Sequence, residues 1–150
     1  MRTFGSMEQK IEPLTPEDTV VFEKQRDWVR GHYASNAHQN YESLEGKLSL
    51  LEKILEKKWV EPNETWKLQS LGITFGDALA QKMTLSWVAV EDKHGRDPAL
   101  KDADTAIVVF PLTTISKRVE RGEAVDVRDL FAKACITIER LRSELSQHKT

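Results

Sequence analysis

The sequence predicts an α+β domain on three observations. Apolar residues recur at helical spacing in the stretches before residue 84, two short runs rich in valine and aromatic residues follow, and helical spacing returns between Leu112 and Leu145. The expected order is three N-terminal helices, a two-stranded antiparallel ribbon and two C-terminal helices. A chain of 150 residues suits one domain with a real core. Residues 1–14 are expected to form a flexible N-terminus, with Met7 behind Gly5-Ser6 reading as a native start after tag residues, and 15–150 a single domain.

Thr15-Pro16-Glu17-Asp18 has the form of a helix start: a capping hydroxyl, proline at the first helical position and acids in the first turn. The first helix is expected to run to about Tyr33, burying Val21, Trp28 and Val29, with Gly31 and the polar stretch Ser35 to Asn40 ending it. The second shows Tyr41, Leu44, Leu48, Leu51 and Leu55 on one face and Glu52, Lys53, Glu56 and Lys57 on the other, closing near Trp59. Asn63 is read as the cap of the third, whose apolar stripe is Leu68, Leu71, Phe75, Leu79 and Met83.

Gly72 and Gly76 lie inside that third helix, where each costs about 1 kcal/mol relative to alanine. Their spacing of one turn points to close approach of another backbone; the competing reading is a flexible or ligand-contacting surface. The strands are expected over Thr84 to Glu91 and Thr105 to Phe110, joined by a charged loop longer than a tight hairpin, with His94-Gly95 and Asp97-Pro98 as its turn chemistry. Pro111 stops the second strand. Leu112, Ile115 and Val119 then mark a short helix capped by Gly122, and Asp126 caps a last helix whose stripe is Val127, Leu130, Phe131, Ala134, Ile138, Leu141 and Leu145.

Composition excludes several function classes. With 22 basic and 24 acidic residues spread along the chain, the net charge of -2 gives no general attraction to nucleic acid or to anionic membrane, and neither is an expected partner. No apolar run reaches the ~18 residues of a membrane span, and the start lacks a secretory apolar core. The single Cys135 rules out an internal disulfide framework and favours a reducing, cytoplasmic location. No phosphate loop, serine elbow, dinucleotide fingerprint or zinc spacing is present, so no cofactor and no metal are expected.

The segments from Leu68 to Leu79, Trp87 to Asp92, Gly95 to Pro98 and Phe110 to Val119 resemble a bacterial family, the one catalogued as domain of unknown function 3806. The resemblance spans roughly Trp66 to Leu141 and leaves the N-terminal helices outside. It implies a small α+β domain with no assigned activity and supplies no catalytic residues.

Chemistry is therefore weighed residue by residue. Glu91, Asp92, His94 and Asp97 bring oxygen and imidazole groups together in the charged loop, a set that could hold a divalent ion or act as a general base. Lys93 and Arg96 interleave with them and oppose a cation, so the preferred reading is a solvated or ion-paired loop, with a protein or ligand contact second. Arg118, with Ser116, Lys117 and Arg121, could bind phosphate, but basic residues there also serve the helix C-terminus. Asp77, next to Gly76, is expected to meet Arg96 or Arg118 in a structural pair. Cys135 reads as a small core residue, His32, His38 and His148 form no ligand cluster, and the four tryptophans read as core or rim.

These readings favour a non-enzymatic, cytoplasmic bacterial domain that binds another protein, such as an immunity or accessory factor acting on a toxin or enzyme. The alternative is a small enzyme or ligand-binding domain using Glu91, Asp92 and His94, with Arg96 and Arg118 orienting an anionic substrate. A homodimer through the amphipathic second helix is a third option.

Overall fold

A buried helix at the centre of the molecule organises everything else. The computed structural model describes residues 2–4 as backbone and residues 9–147, with Ser35 and Asn36 again as backbone only. The central helix, α3, spans Thr65–Met83 and is buried on nearly every face from Leu68 to Leu79, unlike a surface helix with one apolar stripe. Around it lie α1 (Pro16–Arg30), a 3-10 turn (Ser35–Glu42), α2 (Leu44–Glu56), α4 (Ser116–Glu120) and α5 (Val127–Gln147). The α+β class is as expected.

The sheet is larger than the expected ribbon. Among the described residues five antiparallel strands, β1 (Arg2–Phe4), β2 (Lys10–Pro13), β3 (Leu85–Asp92), β4 (Gly95–Asp102) and β5 (Val108–Phe110), lie in the order β1-β5-β4-β3-β2. Two of them come from the first fourteen residues. The expected long loop is instead a hairpin with only Lys93 and His94 between the paired residues Asp92 and Gly95. The Asp92 carboxylate accepts the His94 N–H at 2.7 Å, and Gly95 adopts φ 123, a value that suits glycine.

The second strand therefore begins at Gly95 rather than Thr105, and Asp97-Pro98 lies within it. Proline is tolerated there because β5 is short: its register with β4 covers Leu100↔Val109 and Lys101↔Val108 and stops short of Pro98. The Thr105 to Phe110 run yields a strand only over its last three residues, because Thr105 turns back to hydrogen-bond Asp102.

Thr15 and Asp18 form a reciprocal capping box, with bonds of 3.1 and 2.8 Å, and Pro16 opens α1. Phe22, Gln25 and Val29 form its buried face; Val21, expected inside, is 47% exposed. The helix stops at Arg30, and Tyr41 falls in the 3-10 turn rather than in α2, though it is still buried. Asn63 does not cap α3; Glu64 holds that position without a side-chain bond.

Both helices that end near one another, α2 and α4, finish in the same motif. After α2, Trp59 N–H reaches Ile54 O at 3.1 Å and Lys58 N–H reaches Leu55 O at 3.2 Å, with Lys58 at φ 54 where glycine is usual. After α4, Glu123 N–H reaches Arg118 O at 2.9 Å and Gly122 takes φ 72, the terminal cap expected from the sequence. Asp126 caps α5 through the Asp129 N–H at 3.0 Å.

The two helix glycines are packing glycines. A Cβ on Gly72 would overlap the Leu112 carbonyl, and one on Gly76 would overlap the Trp87 ring and come within 3.1 Å of Pro111 Cγ. α3 thereby sits close to β3 and to the segment after β5. The main core joins α1, α2, α3 and α5 to Leu85, Leu100 and Val109 of the sheet, and a smaller cluster of Val90, Ala99, Val108 and Phe110 gathers with Val88. Alternation along β3 puts Val88 and Val90 on the sheet face opposite Trp87 and Ala89. Among the described residues, no helix is long and apolar enough to cross a membrane.

Candidate functional site

The residues singled out in the charged loop are distributed along the β3–β4 hairpin. Glu91 and Arg96 face each other across the ladder, and Lys10 of β2 lies beside Glu91 in register. The Arg96 guanidinium grips Asp18 of α1 with two bonds, at 3.0 and 2.6 Å, and stands 4.0 Å from Glu12. Its hydrogen bonds hold the Asp18 carboxyl well below the usual carboxylate range. Arg96 thus ties the hairpin to the start of α1. Asp92 is engaged with the turn backbone, His94 is exposed, and Asp97 lies opposite Val90 on the neighbouring strand.

Arg118 donates to Thr114 O at 2.8 Å, staying within its own segment. Cys135 is buried beside the core, and burial pushes its thiol pKa up, which keeps it protonated. His32 hydrogen-bonds the end of α1 through Trp28 O at 2.9 Å and stacks on Trp59. His148 lies outside the described residues. Among the described residues, no group of three metal-ligating side chains comes together.

Asp77 does form a structural pair, with Arg26 in place of the expected Arg96 or Arg118. Arg26 Nε and Nη2 each reach a carboxylate oxygen at 2.8 Å, the Tyr41 hydroxyl donates at 2.7 Å, and Trp87 Nε1 donates at 2.9 Å. Four donors therefore converge on one carboxylate from α1, the 3-10 turn and β3. Burial, followed by the Asp77 charge, pushes the Tyr41 phenol far above its ordinary value, so it stays a donor.

A groove lies elsewhere, between the turn after α2 and the turn after α4. It encloses about 960 Å³. Leu55, Val60, Val119, Val125 and Val127 make an apolar floor continuous with the core. Glu52, Glu56, Glu61, Glu123 and Asp126 stand around it, against Lys58 as the one basic lining residue among those described. The C-terminal end of α2 adds the negative pole of its dipole.

Sequence reading missed this groove because its halves are two turns some sixty positions apart, each legible only as a helix boundary. A signal was present. Glu56, Glu61, Glu123 and Asp126 flank the boundaries at Pro62 and Gly122, but only the packing of α2 and α4 around α3 brings them together.

A family model described as Domain of unknown function (DUF3806) matches residues 47–131, from within α2 to the first turns of α5. The match starts earlier than the resemblance read from Trp66 and takes in most of α2, both walls of the groove and the hairpin. No curated protein matches the sequence. A protein of Bacteroides thetaiotaomicron VPI-5482, solved by crystallography at 1.50 Å, is similar in structure with a TM-score of 0.67 at 13% identity. The similarity covers 87% of this chain and 48% of that one, so the chain spans about half the length of that protein. At this identity the likeness concerns the fold.

Proposed function

Because the chain belongs to the DUF3806 family, which brings no assigned activity, we propose from its own surface that it is a non-enzymatic protein-binding module. The observation that carries the reading is the groove between α2 and α4, with its apolar floor and its rim of carboxylates. Such a surface fits a basic segment of a partner protein carrying apolar anchors. Leucine-like side chains would cover the floor while lysine or arginine meets Glu56, Glu61 and Glu123. An immunity or accessory role toward a bacterial cytoplasmic toxin or enzyme is the specific form we favour.

The β3–β4 hairpin supports a catalytic reading less well, since Arg96, the group proposed to orient an anionic substrate, is already held by Asp18. A fluorescence-polarisation titration tests the groove with labelled peptides that alternate leucine with lysine or arginine, against acidic peptides of the same apolar content. Binding of the basic set is expected, weakening as salt rises and lost in the Glu56→Lys/Glu123→Lys variant. Equal affinity for both peptide sets, or affinity unchanged in the charge-reversed protein, would count decisively against the proposal.

A further inference from the structure

A second recess, of about 370 Å³, opens between α1, the 3-10 turn and α3, and its charges are unevenly satisfied. Arg26 and Asp77 neutralise each other within it through their paired bonds, and Arg26 Nη1 also reaches Glu23 at 2.7 Å. Arg30 is different. Its Nε is buried and has no hydrogen-bond partner among the described residues. Its remaining acid contacts are Glu23 at 3.5 Å, Asp27 at 3.4 Å and Glu42 at 4.0 Å. All three exceed the 2.7–2.9 Å of a charge-assisted bond.

Those acids are also surface groups, with side chains 50%, 72% and 76% exposed, so water weakens their hold on Arg30. Lys47 lines the same recess; it is buried, and among the described residues its ammonium meets neutral acceptors, Gln81 Oε1 at 2.7 Å and Glu42 O at 3.2 Å. Arg30 and Lys47 both line the recess, and both approach the Tyr41 ring, at 5.0 and 5.2 Å. Burial pulls the Lys47 pKa down from its ordinary value, against the opposing effect of the Asp77 and Glu42 charges.

We propose that this recess binds a small oxyanion, a carboxylate or a phosphate, between Arg30 and Lys47. The incoming oxygen takes the unused Arg30 Nε–H and the remaining donor of Lys47, and Glu23 and Glu42 swing into solvent. Asp77 shares the recess, but its charge is paired with Arg26 and its oxygens accept from Tyr41 and Trp87. The site is separate from the groove, and neither proposal depends on the other.

Titrating the full chain with inorganic phosphate and, separately, with acetate at matched ionic strength tests this, with the Arg30 Nε–H signal followed by NMR. A saturable shift of that signal is expected with at least one of the two, and the anion that produces it identifies the ligand class. The Lys47→Met variant is expected to weaken the effect about ten-fold or more, as loss of a hydrogen bond to a charged group does. A signal that stays in place with both anions overturns the proposal, as does an equal affinity in Lys47→Met. Should that variant not fold, the Nε–H titration of the native protein decides alone.

Discussion

Trp87 Nε1 donates to Asp77 Oδ1 at 2.9 Å, so the sheet and the central helix share one carboxylate that α1 also holds through Arg26. Three layers of the fold meet at that group. Removing it takes two bonds from a partly buried guanidinium and one each from a buried phenol and an indole N–H, leaving Arg26 only Glu23 and Tyr41 only the Thr74 hydroxyl among the described residues.

Asp77→Ala is therefore expected to cost about 3 kcal/mol, the lower end of what breaking a buried pair from one side does, because both partners retain some exposure. Urea unfolding followed by fluorescence measures it. Arg26→Met/Asp77→Leu, which removes both charges and keeps volume, is expected to recover much of the loss. If the double variant is as unstable as the sum of the single ones, the pair is not the unit described here.

Gly72→Ala sets two effects against each other. The added methyl gains about 1 kcal/mol in helix propensity but overlaps the main-chain carbonyl of Leu112, which no rotamer can relieve. Overpacking of this kind costs about 1–3 kcal/mol, so net destabilisation is expected, seen as a lower midpoint with an unchanged denaturant slope. A stabilised Gly72→Ala protein would show that α3 and Leu112 are not as close as described.

Asp102 predicts a pH dependence. Burial raises its pKa, but the Thr105 hydroxyl at 2.8 Å and Arg142 at 3.1 and 3.2 Å outweigh burial and hold it below the ordinary value of 3.8. A carboxyl with a depressed folded pKa contributes stability that is complete above its unfolded pKa and is lost as pH falls through the folded one. Melting temperature is thus expected to fall below about pH 4. Asp102→Asn should be less stable at neutral pH and lose less on acidification; matching acid slopes for the two proteins would remove Asp102 from the account.

The α+β class, the helices and the close packing at Gly72 and Gly76 were legible because each rests on local spacing or on a residue with one strong physical use. β4 was not. Gly95-Arg96-Asp97-Pro98 has loop composition, and only Ala99 and Leu100, both buried and the second paired with β5, carry a strand signal. Asp77 was recognised as half of a structural pair, but its partner Arg26 lies 51 positions away on a helix whose rotation the sequence does not fix. Arg30 and Lys47 drew no attention, since a lysine on an amphipathic helix normally faces water; this one turns inward to Gln81 and Tyr41.

Pro98 has a further consequence for the life of the protein in a crowded solution. Among the described residues no strand pairs with the β5 side of β4 beyond the end of β5, and that flank would otherwise offer a row of donors and acceptors to any extended chain that drifts past. A proline in that row withholds a donor and obstructs a second ladder, so a short neighbouring strand can be tolerated without inviting strand addition and aggregation. The residue that made this segment look like a loop is also the one that guards its open side.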